Sequence, residues 1–449
     1  FRECGGKPKL ILITDKIRKE SKMEVNAKRA FELLNKLSFE RVSCTAEETR
    51  TAEALLAEID SFTWARSDIQ REIEVFKAST GTVAAARLIV TEPYEKEYPV
   101  TAYLRSDSTP DDGLELELVY VENALPANLL GVEGKAVLVN GRFGFEAYGR
   151  IQKAKPAAII GFTGNILDKD DETDHGICKI RETYTAEFGD NILVNLKAKD
   201  ALEIVSKGAK KVKLFVSSTA TESESRNVCV TLRGTDLADE IVSFGAHYDS
   251  VLFSTGAYDN MSGSVIIMEL LRYFAANPPR RTLKFNWFGS EEQGLLGSKA
   301  YVAAHEAELE KHRLMVNVDM AGPVLGSEHI FIMGDAPMKS YVEGMMNELG
   351  AAVVYHEDVY SSDGTPFSDK GIPAINFTRV NANGTGFIHD RRDALANGFL
   401  SADALGITLN LALEFSKRVV NAPIFPIERK ISDSMRDKID KYLFRKCNK

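Results

Sequence analysis

Apolar residues recur along this chain with two different periods, and the change from one to the other outlines its architecture. From about residue 24 to 78 the spacing is helical, with Ala30, Leu33, Leu34 and Leu37 at i, i+3, i+4 and i+7. A second helix carrying Ala52, Leu55, Leu56 and Ile59 follows Thr45-Ala46-Glu47-Glu48, which has the form of a capping box. The runs AARLIVTEP, YPVTAYL and LELELVYV then read as strands. Between roughly 105 and 221, short apolar runs (KAVLVNG, AAIIGF, VKLFVSS) alternate with Gly, Pro and Asp turns, which predicts an insert domain. From 222 onward strand and helix alternate, the pattern of a mostly parallel sheet covered by helices. The expected strands there are EIVSFGAH, TLKFNWFG, LMVNVD and IPAINF, and the expected helices cover 262–276, 294–311, 337–349 and 400–418. The fold class is therefore α/β: a mixed, mostly parallel sheet sandwiched by helices, with a smaller β-rich insert domain. The expected division is 1–23 as an N-terminal extension, 24–104 and 222–425 as the main domain, 105–221 as the insert, and 426–449 as a charged helical tail at the surface.

Composition narrows the function classes. A length of 449 residues suits two or three domains, and 44% hydrophobic with 27% charged residues describes a globular chain. A net charge of −9 argues against a protein that works by neutralising nucleic-acid phosphates, which takes clustered Lys and Arg. No apolar run approaches the roughly 18–20 residues of a membrane helix. Leu10-Ile11-Leu12-Ile13 is flanked by charge and is shorter than a signal-peptide core of about 7–15 residues. The five cysteines, Cys4, Cys44, Cys178, Cys229 and Cys447, are scattered, odd in number and without a C-x-x-C pair, so they form no disulfide framework. A reducing, cytoplasmic setting is favoured, with an exported protein that has lost a signal peptide as the alternative.

The candidate chemistry sits at the ends of apolar strands. His247 and Asp249 are two apart, so on an extended chain they point the same way, and Asp249 can hold the second imidazole nitrogen and fix the tautomer. Asp259, in Ala257-Tyr258-Asp259-Asn260-Met261-Ser262-Gly263, precedes a helix and by itself reads as a cap. With His247 it reads differently, because one carboxylate can bridge two cations about 3.5–4 Å apart. The next strand ends in Glu291-Glu292, adjacent acids that are costly in a cleft unless something positive joins them. A metal is the economical partner, with one Glu as ligand and the other as general base toward the attacking water. Asp319 ends another apolar strand, and His389 supplies a second histidine, with Asp393 either orienting it or capping a helix. His, Asp and Glu without Cys suit Zn²⁺, Co²⁺ or Mn²⁺ alike.

The ordered set HxD, DN-x-SG, EE-x-G, VD and H resembles the zinc aminopeptidase family, metallopeptidase family 28, whose relatives include glutamate carboxypeptidases and the transferrin receptor. The resemblance covers roughly 24–104 and 222–420. On texture (KAVLVNGR, AAIIGFTG, NILVNLKAKDALEIV) the middle segment is similar to a protease-associated domain. The resemblance implies two divalent metal ions, with Asp259 as bridge, His247 and Asp319 completing one site, Glu292 and His389 the other, and Glu291 as base; Asp249, through its place beside His247, is counted with Glu291 as a catalytic candidate. It implies a metallo-aminopeptidase acting on peptides. The stretch SSDGTPFSDKGIPAINF is similar to the family's segment near the substrate pocket, which makes Phe367 either a pocket wall or a core residue. Many members carry a tyrosine just before the last histidine, to stabilise the oxyanion, and this chain carries Ile388 there.

Three alternatives stay open: a carboxypeptidase on the same site, a dinuclear amidohydrolase of a related family, and a non-catalytic receptor scaffold. The short gap from His247 to Asp259 and an insert preceding His247 favour the aminopeptidase over the amidohydrolase. Retention of the whole ligand set with Glu291 disfavours the scaffold. Among the remaining histidines, His305, His312 and His329 are expected at the surface, His356 lies close to the expected pocket segment, and His175 with Cys178 lacks the second pair a zinc knuckle requires. The sequence does not address oligomeric state.

Overall fold

The computed structural model describes residues 24–63, 66, 68–141, 143–169, 173–174 and 180–445, so the expected N-terminal extension and the His175–Cys178 pair lie outside the described residues. Helix α1 (Ala27–Leu37) starts at Asn26, whose side chain accepts from the backbone of Lys28 and Arg29, and buries Ala30, Leu33, Leu34 and Leu37 as the periodicity requires. Helix α2 (Ala46–Thr63) buries Ala52, Leu55 and Ile59. The helical pattern ends there and not at 78, because Ile69–Glu92 is a single 24-residue strand, β1. Ile69, Ile73 and Phe76 mimic helical spacing, but the segment pairs along its length with a later strand, and that pairing overrides local pattern.

The insert follows as β2 (Lys96–Pro99), β3 (Thr101–Ala102), β4 (Leu114–Tyr120), β5 (Ala136–Leu138), α3 (Phe145–Lys153), β6 (Ala158–Thr163), α4 (Glu182–Phe188), β7 (Ile192–Lys197) and α5 (Ala198–Ser206). Strands β4, β5, β6 and β7 are parallel neighbours. Parallel strands require crossovers, so this part of the chain contains three helices where the sequence texture suggests a β-rich unit. It has apolar clusters of its own, with Leu138, Ile160 and Val194 on one side of the strands and Val137, Ile159 and Leu193 on the other.

Strand β8 (Lys211–Leu232) then runs back along β1 in one antiparallel ribbon, from Glu92↔Lys211 to Ile69↔Leu232. One end of the ribbon joins the insert, where Leu88, Val90, Val212 and Leu214 enter its cluster. The other end, with Ile69, Val228, Val230 and Leu232, belongs to the main core. The two parts are thus joined through β1 and β8, and β8 runs straight through residue 222, an expected boundary of the insert.

The main sheet continues with β9 (Leu237–His247), α6 (Ser262–Ala276), β10 (Arg281–Phe288), α7 (Leu296–Ala304), β11 (His312–Val318), β12 (Gly326–Met333), α8 (Ala336–Glu348), β13 (Val353–His356), α9 (Gly364–Asp369), β14 (Ala374–Asn381), α10 (Ala402–Asn421) and α11 (Asp433–Tyr442). Its order is β13-β12-β14-β11-β9-β10-β8, and β10, β9, β11 and β14 are parallel. Their carboxyl ends therefore open on the same edge, the place where open α/β sheets bind ligands. Helix α11 is no detached surface tail: Met435 and Ile439 are buried with Phe288 and Tyr301, and Phe444 just beyond stacks on Phe145 of the insert at 4.2 Å between centroids. Among the described residues no helix is long and apolar enough to cross a membrane.

Candidate metal centre

The residues singled out in the sequence for metal binding arrive at that edge from four connections, those that follow β9, β10, β11 and β14. His247 is the last residue of β9, Glu291 and Glu292 follow β10, Asp319 follows β11, Asp259 lies just before α6, and His389 lies in the loop after β14. His247, Asp259, Glu291 and Asp319 are buried. Three non-glycine residues at or beside these positions take left-handed backbone, Ser290 (φ 55°), Met320 (φ 64°) and His389 (φ 62°). Such strained positions concentrate where a side chain must be aimed rather than packed.

The connections are tied to one another by groups that carry no charge. Asn260 Nδ2 donates to Val318 O at 2.9 Å, while Asn260 Oδ1 accepts from Gly263 N at 2.9 Å and Met320 N at 3.0 Å. Ser262 Oγ accepts from Ala321 N at 2.8 Å. Gly263 has no room for a side chain, because a Cβ there would lie 2.2 Å from Val318 O. The DN-x-SG motif therefore locks the Asp259 loop to the Asp319 turn, a role that sequence reasoning does not assign to Asn260 or Ser262. Two further carboxylates hold backbone. Asp249 accepts from Glu291 N at 3.0 Å and Glu292 N at 3.2 Å, and lies 3.4 Å from His247 Nδ1. Asp393 accepts from Tyr258 N at 2.8 Å and Asp259 N at 3.0 Å. Asp393 thus neither orients His389 nor caps a helix; it fixes the Asp259 loop.

Asp259 stands between two groups of candidate ligands. Its Oδ1 is 3.1 Å from His247 Nε2, which in turn is 3.7 Å from Asp319 Oδ1. Its Oδ2 is 3.0 Å from His389 Nε2, which is 3.1 Å from Glu292 Oε2. The triads His247–Asp259–Asp319 and Asp259–Glu292–His389 each bring their donor atoms within 4.8 Å of one another. Glu291 Oε2 lies 3.9 Å from His247 Nε2.

Electrostatics show a site with more negative charge than the protein alone balances. Burial, and then the neighbouring Glu292, Asp363 and Asp319, push the Glu291 carboxyl well above its usual range. Burial and Asp259 raise Glu292. Burial opposes charge on His389, yet Asp259 and Glu292 outweigh it and hold the imidazolium up to about 11. His247 is raised likewise, burial being overcome by Glu291, Asp249, Asp259 and Asp319. Asp319 Oδ1 and Glu292 Oε1 are buried without a hydrogen-bond partner. Oxygen and imidazole donors with orphaned carboxylate oxygens and surplus negative charge fit the binding of divalent metal.

The cluster forms the floor of a cleft of about 610 Å³. Ile388 and His389 line it, as do Tyr360 and Ser361 from the main domain and Tyr103, Phe143, Arg181 and Tyr184 from the insert. Phe367 does not: it is fully buried between Phe288 and Tyr301, so the core alternative holds for it. The sequence stretch that drew attention to Phe367 reaches the cleft a turn earlier, at Tyr360 and Ser361. The histidines expected at the surface are also placed otherwise. His312 is fully buried in β11 against Ser243, at 3.0 Å. His305 is half-buried on Glu74, and His329 pairs with His356 at 2.8 Å.

An α/β sheet that gathers His and carboxylate ligands at the ends of its parallel strands is the architecture of a candidate metal-dependent hydrolase. Residues 227–416, the stretch that carries the cluster, match the model of peptidase family M28. Aminopeptidase YwaD of Bacillus subtilis is 31% identical over 194 residues, 41% of this chain and 42% of that protein. Leucine aminopeptidase 1 of Arthroderma gypseum is 32% identical over 156 residues, 32% of this chain and 41% of that one. The matches thus span about two fifths of those curated relatives. The zinc aminopeptidase BSAP from Bacillus subtilis shares the fold with a TM-score of 0.73 and 21% identity, covering 92% of this chain and all of that one. An aminopeptidase from Aneurinibacillus aligns with a TM-score of 0.69 at 22% identity over 91% of this chain and 97% of its own.

Proposed function

We propose that this chain is a metal-dependent aminopeptidase that holds two divalent ions, zinc by preference, and removes N-terminal residues from peptides. The observation that supports it most is the placement of Asp259, whose two oxygens face two different histidines, each beside one further carboxylate. His247 and Asp319 would hold one ion and Glu292 and His389 the other, with Asp259 shared. When bound, the ions supply Lewis-acid polarisation of the scissile carbonyl and lower the pKa of the attacking water. Glu291 is the general base: buried in the cleft floor beside His247, it takes a proton from that water and returns it to the leaving amine. Asp249 holds Glu291 through its backbone, and the cleft walls keep bulk water from the reacting carbonyl. The insert, read as protease-associated-like, roofs the cleft and restricts it to chain ends.

Glu291→Gln keeps shape and hydrogen bonding but removes the base, so hydrolysis of aminoacyl anilides by the zinc-loaded chain is expected to fall by about 10²–10⁴. Equal rates in the two chains would dismiss the role. Metal analysis of the purified chain is expected to find two equivalents; none after metal-replete expression would favour a scaffold instead. Cleavage confined to peptides with blocked amines would turn the reading to another exopeptidase or amidohydrolase.

A further inference from the structure

Arg181 is a residue that neither the family pattern nor the mechanism above employs. It comes from the insert, immediately before α4, and its exposed side chain lines the cleft whose floor carries Glu291. Across the cleft wall it faces the Tyr442 hydroxyl of α11. That hydroxyl is 2.6 Å from Ser361 Oγ, which also lines the cleft. Tyr442 thus links Arg181 of the insert to Ser361 of the main domain. The neighbouring acids are engaged elsewhere: Glu182 with Arg105 at 3.3 Å, Asp174 with Arg391, and Asp369 with Arg445.

The surroundings are cationic in a chain that is acidic as a whole. Lys299, exposed and donating to Gly294 O at 2.9 Å, lies within electrostatic reach of Arg181, Arg445 and Glu291. Desolvation and the like charge of Arg181 lower its pKa, as expected where cations gather without enough anions. Tyr442 likewise feels both Arg181 and Glu291. Arg181 and Glu291 both line the same cleft. A guanidinium with N–H groups free to face a cleft matches a carboxylate as a planar fork. A peptide held in this one cleft with its reacting carbonyl at the floor can bring its C-terminal carboxylate to a guanidinium on the wall.

We propose that Arg181, braced by Tyr442, anchors the C-terminal carboxylate of the substrate, so that the cleft selects short peptides with a free C-terminal carboxylate over amidated ones. The inference rests on the aminopeptidase reading and specifies its substrate class. Leucyl-leucine and its C-terminal amide, which differ only in the terminal charge, separate the two questions. With the zinc-loaded full chain, kcat/KM for the free acid is expected to exceed that for the amide by tenfold or more. In Arg181→Gln the ratio is expected to fall toward one, and Arg181→Lys, which keeps the charge without the fork, should retain part of it. A ratio of one in the unaltered chain overturns the proposal. So does a ratio that survives in Arg181→Gln, which would make Arg181 a pin between the insert and α11. Absence of turnover for both peptides and for aminoacyl anilides would instead defeat the aminopeptidase reading. Calorimetric binding of the same pair to the Glu291→Gln chain then decides the matter without turnover: tenfold tighter binding of the free acid supports the proposal, and equal binding overturns it.

Discussion

Ile388 occupies the position at which the family pattern offers a phenol to the developing oxyanion, and its side chain cannot donate a hydrogen bond. Tyr360 lines the same cleft, and its hydroxyl is buried without a hydrogen-bond partner. Burial, and then the charges on Asp319 and Asp259, hold that phenol well above its ordinary pKa, so it stays protonated and able to donate. Tyr360→Phe is therefore expected to lower kcat by about tenfold or more with KM little changed, the mark of a group that acts mainly on the transition state. Steady-state kinetics on an aminoacyl anilide measure it, and an unaltered kcat would leave the metals as the only source of stabilisation. The residue scale also shows what a sequence can disclose. His247, Glu291, Glu292 and Asp319 are legible because an acid or imidazole at the end of an apolar strand must find a partner, while Asp259 and His389, off the strands, gain meaning only beside them. Asn260, Ser262 and Tyr442 are not legible, since amides and hydroxyls are common everywhere and theirs matter only through contacts with distant residues. Phe367 shows the opposite error: an apolar side chain beside a motif fits a wall and a core equally until the fold is known.

At the scale of elements, the alternation from 222 onward is readable because β9, β10 and β11 are nearly uniformly buried and each helix carries an apolar face. Helix α6 falls at the residues expected, Ser262–Ala276. The long ribbon is not readable in the same way, since most of β1 is half-exposed on both faces and shows no clean period of two. That ribbon is tied to the main domain by a histidine at the end of α7. His305 Nε2 is 2.6 Å from Glu74 of β1, and its Nδ1 is 3.1 Å from Glu308. Hydrogen bonds to Glu308 and Glu74 push it up to about 9. A pKa raised in the folded chain stabilises fully below the unfolded value of about 6.5 and loses that contribution as pH rises through the folded value. His305→Gln is therefore expected to lower Tm by about one degree at pH 6, consistent with roughly 1 kcal/mol after allowing for partial exposure. The gap should close as the pH passes about 9. Thermal unfolding followed from pH 6 to 10 tests this, and a gap that stays constant over the range would show that the ring packs there without its charge.

At the scale of the whole molecule, the insert touches the loop that carries one of the candidate ligands. Asp174, nearly buried, accepts from Arg391 Nε at 2.6 Å and from the Arg391 backbone N–H at 3.1 Å. Arg392 beside it lies over Phe387, 4.5 Å from the ring centroid. The segment between them includes His389, which is itself held in left-handed backbone. His389 is among the most exposed of the candidate ligands, with a side chain 43% accessible against 1% for His247. A ligand on a loop with little packing of its own depends on whatever fixes that loop, and here a charge from the insert does so. Groups that orient a ligand without touching the metal typically contribute 10–100-fold to affinity. Asp174→Ala is expected to weaken zinc binding by about tenfold at the site containing Glu292 and His389 while the site containing His247 and Asp319 is unchanged. Competition against a chromophoric chelator resolves the two affinities without reference to turnover. Arg391→Ala should produce the same loss, and the two changes together should cost little more than either one, since both break a single contact. Additive losses would mean that each residue supports the loop independently, and two unchanged zinc affinities in Asp174→Ala would remove the insert from any part in holding His389.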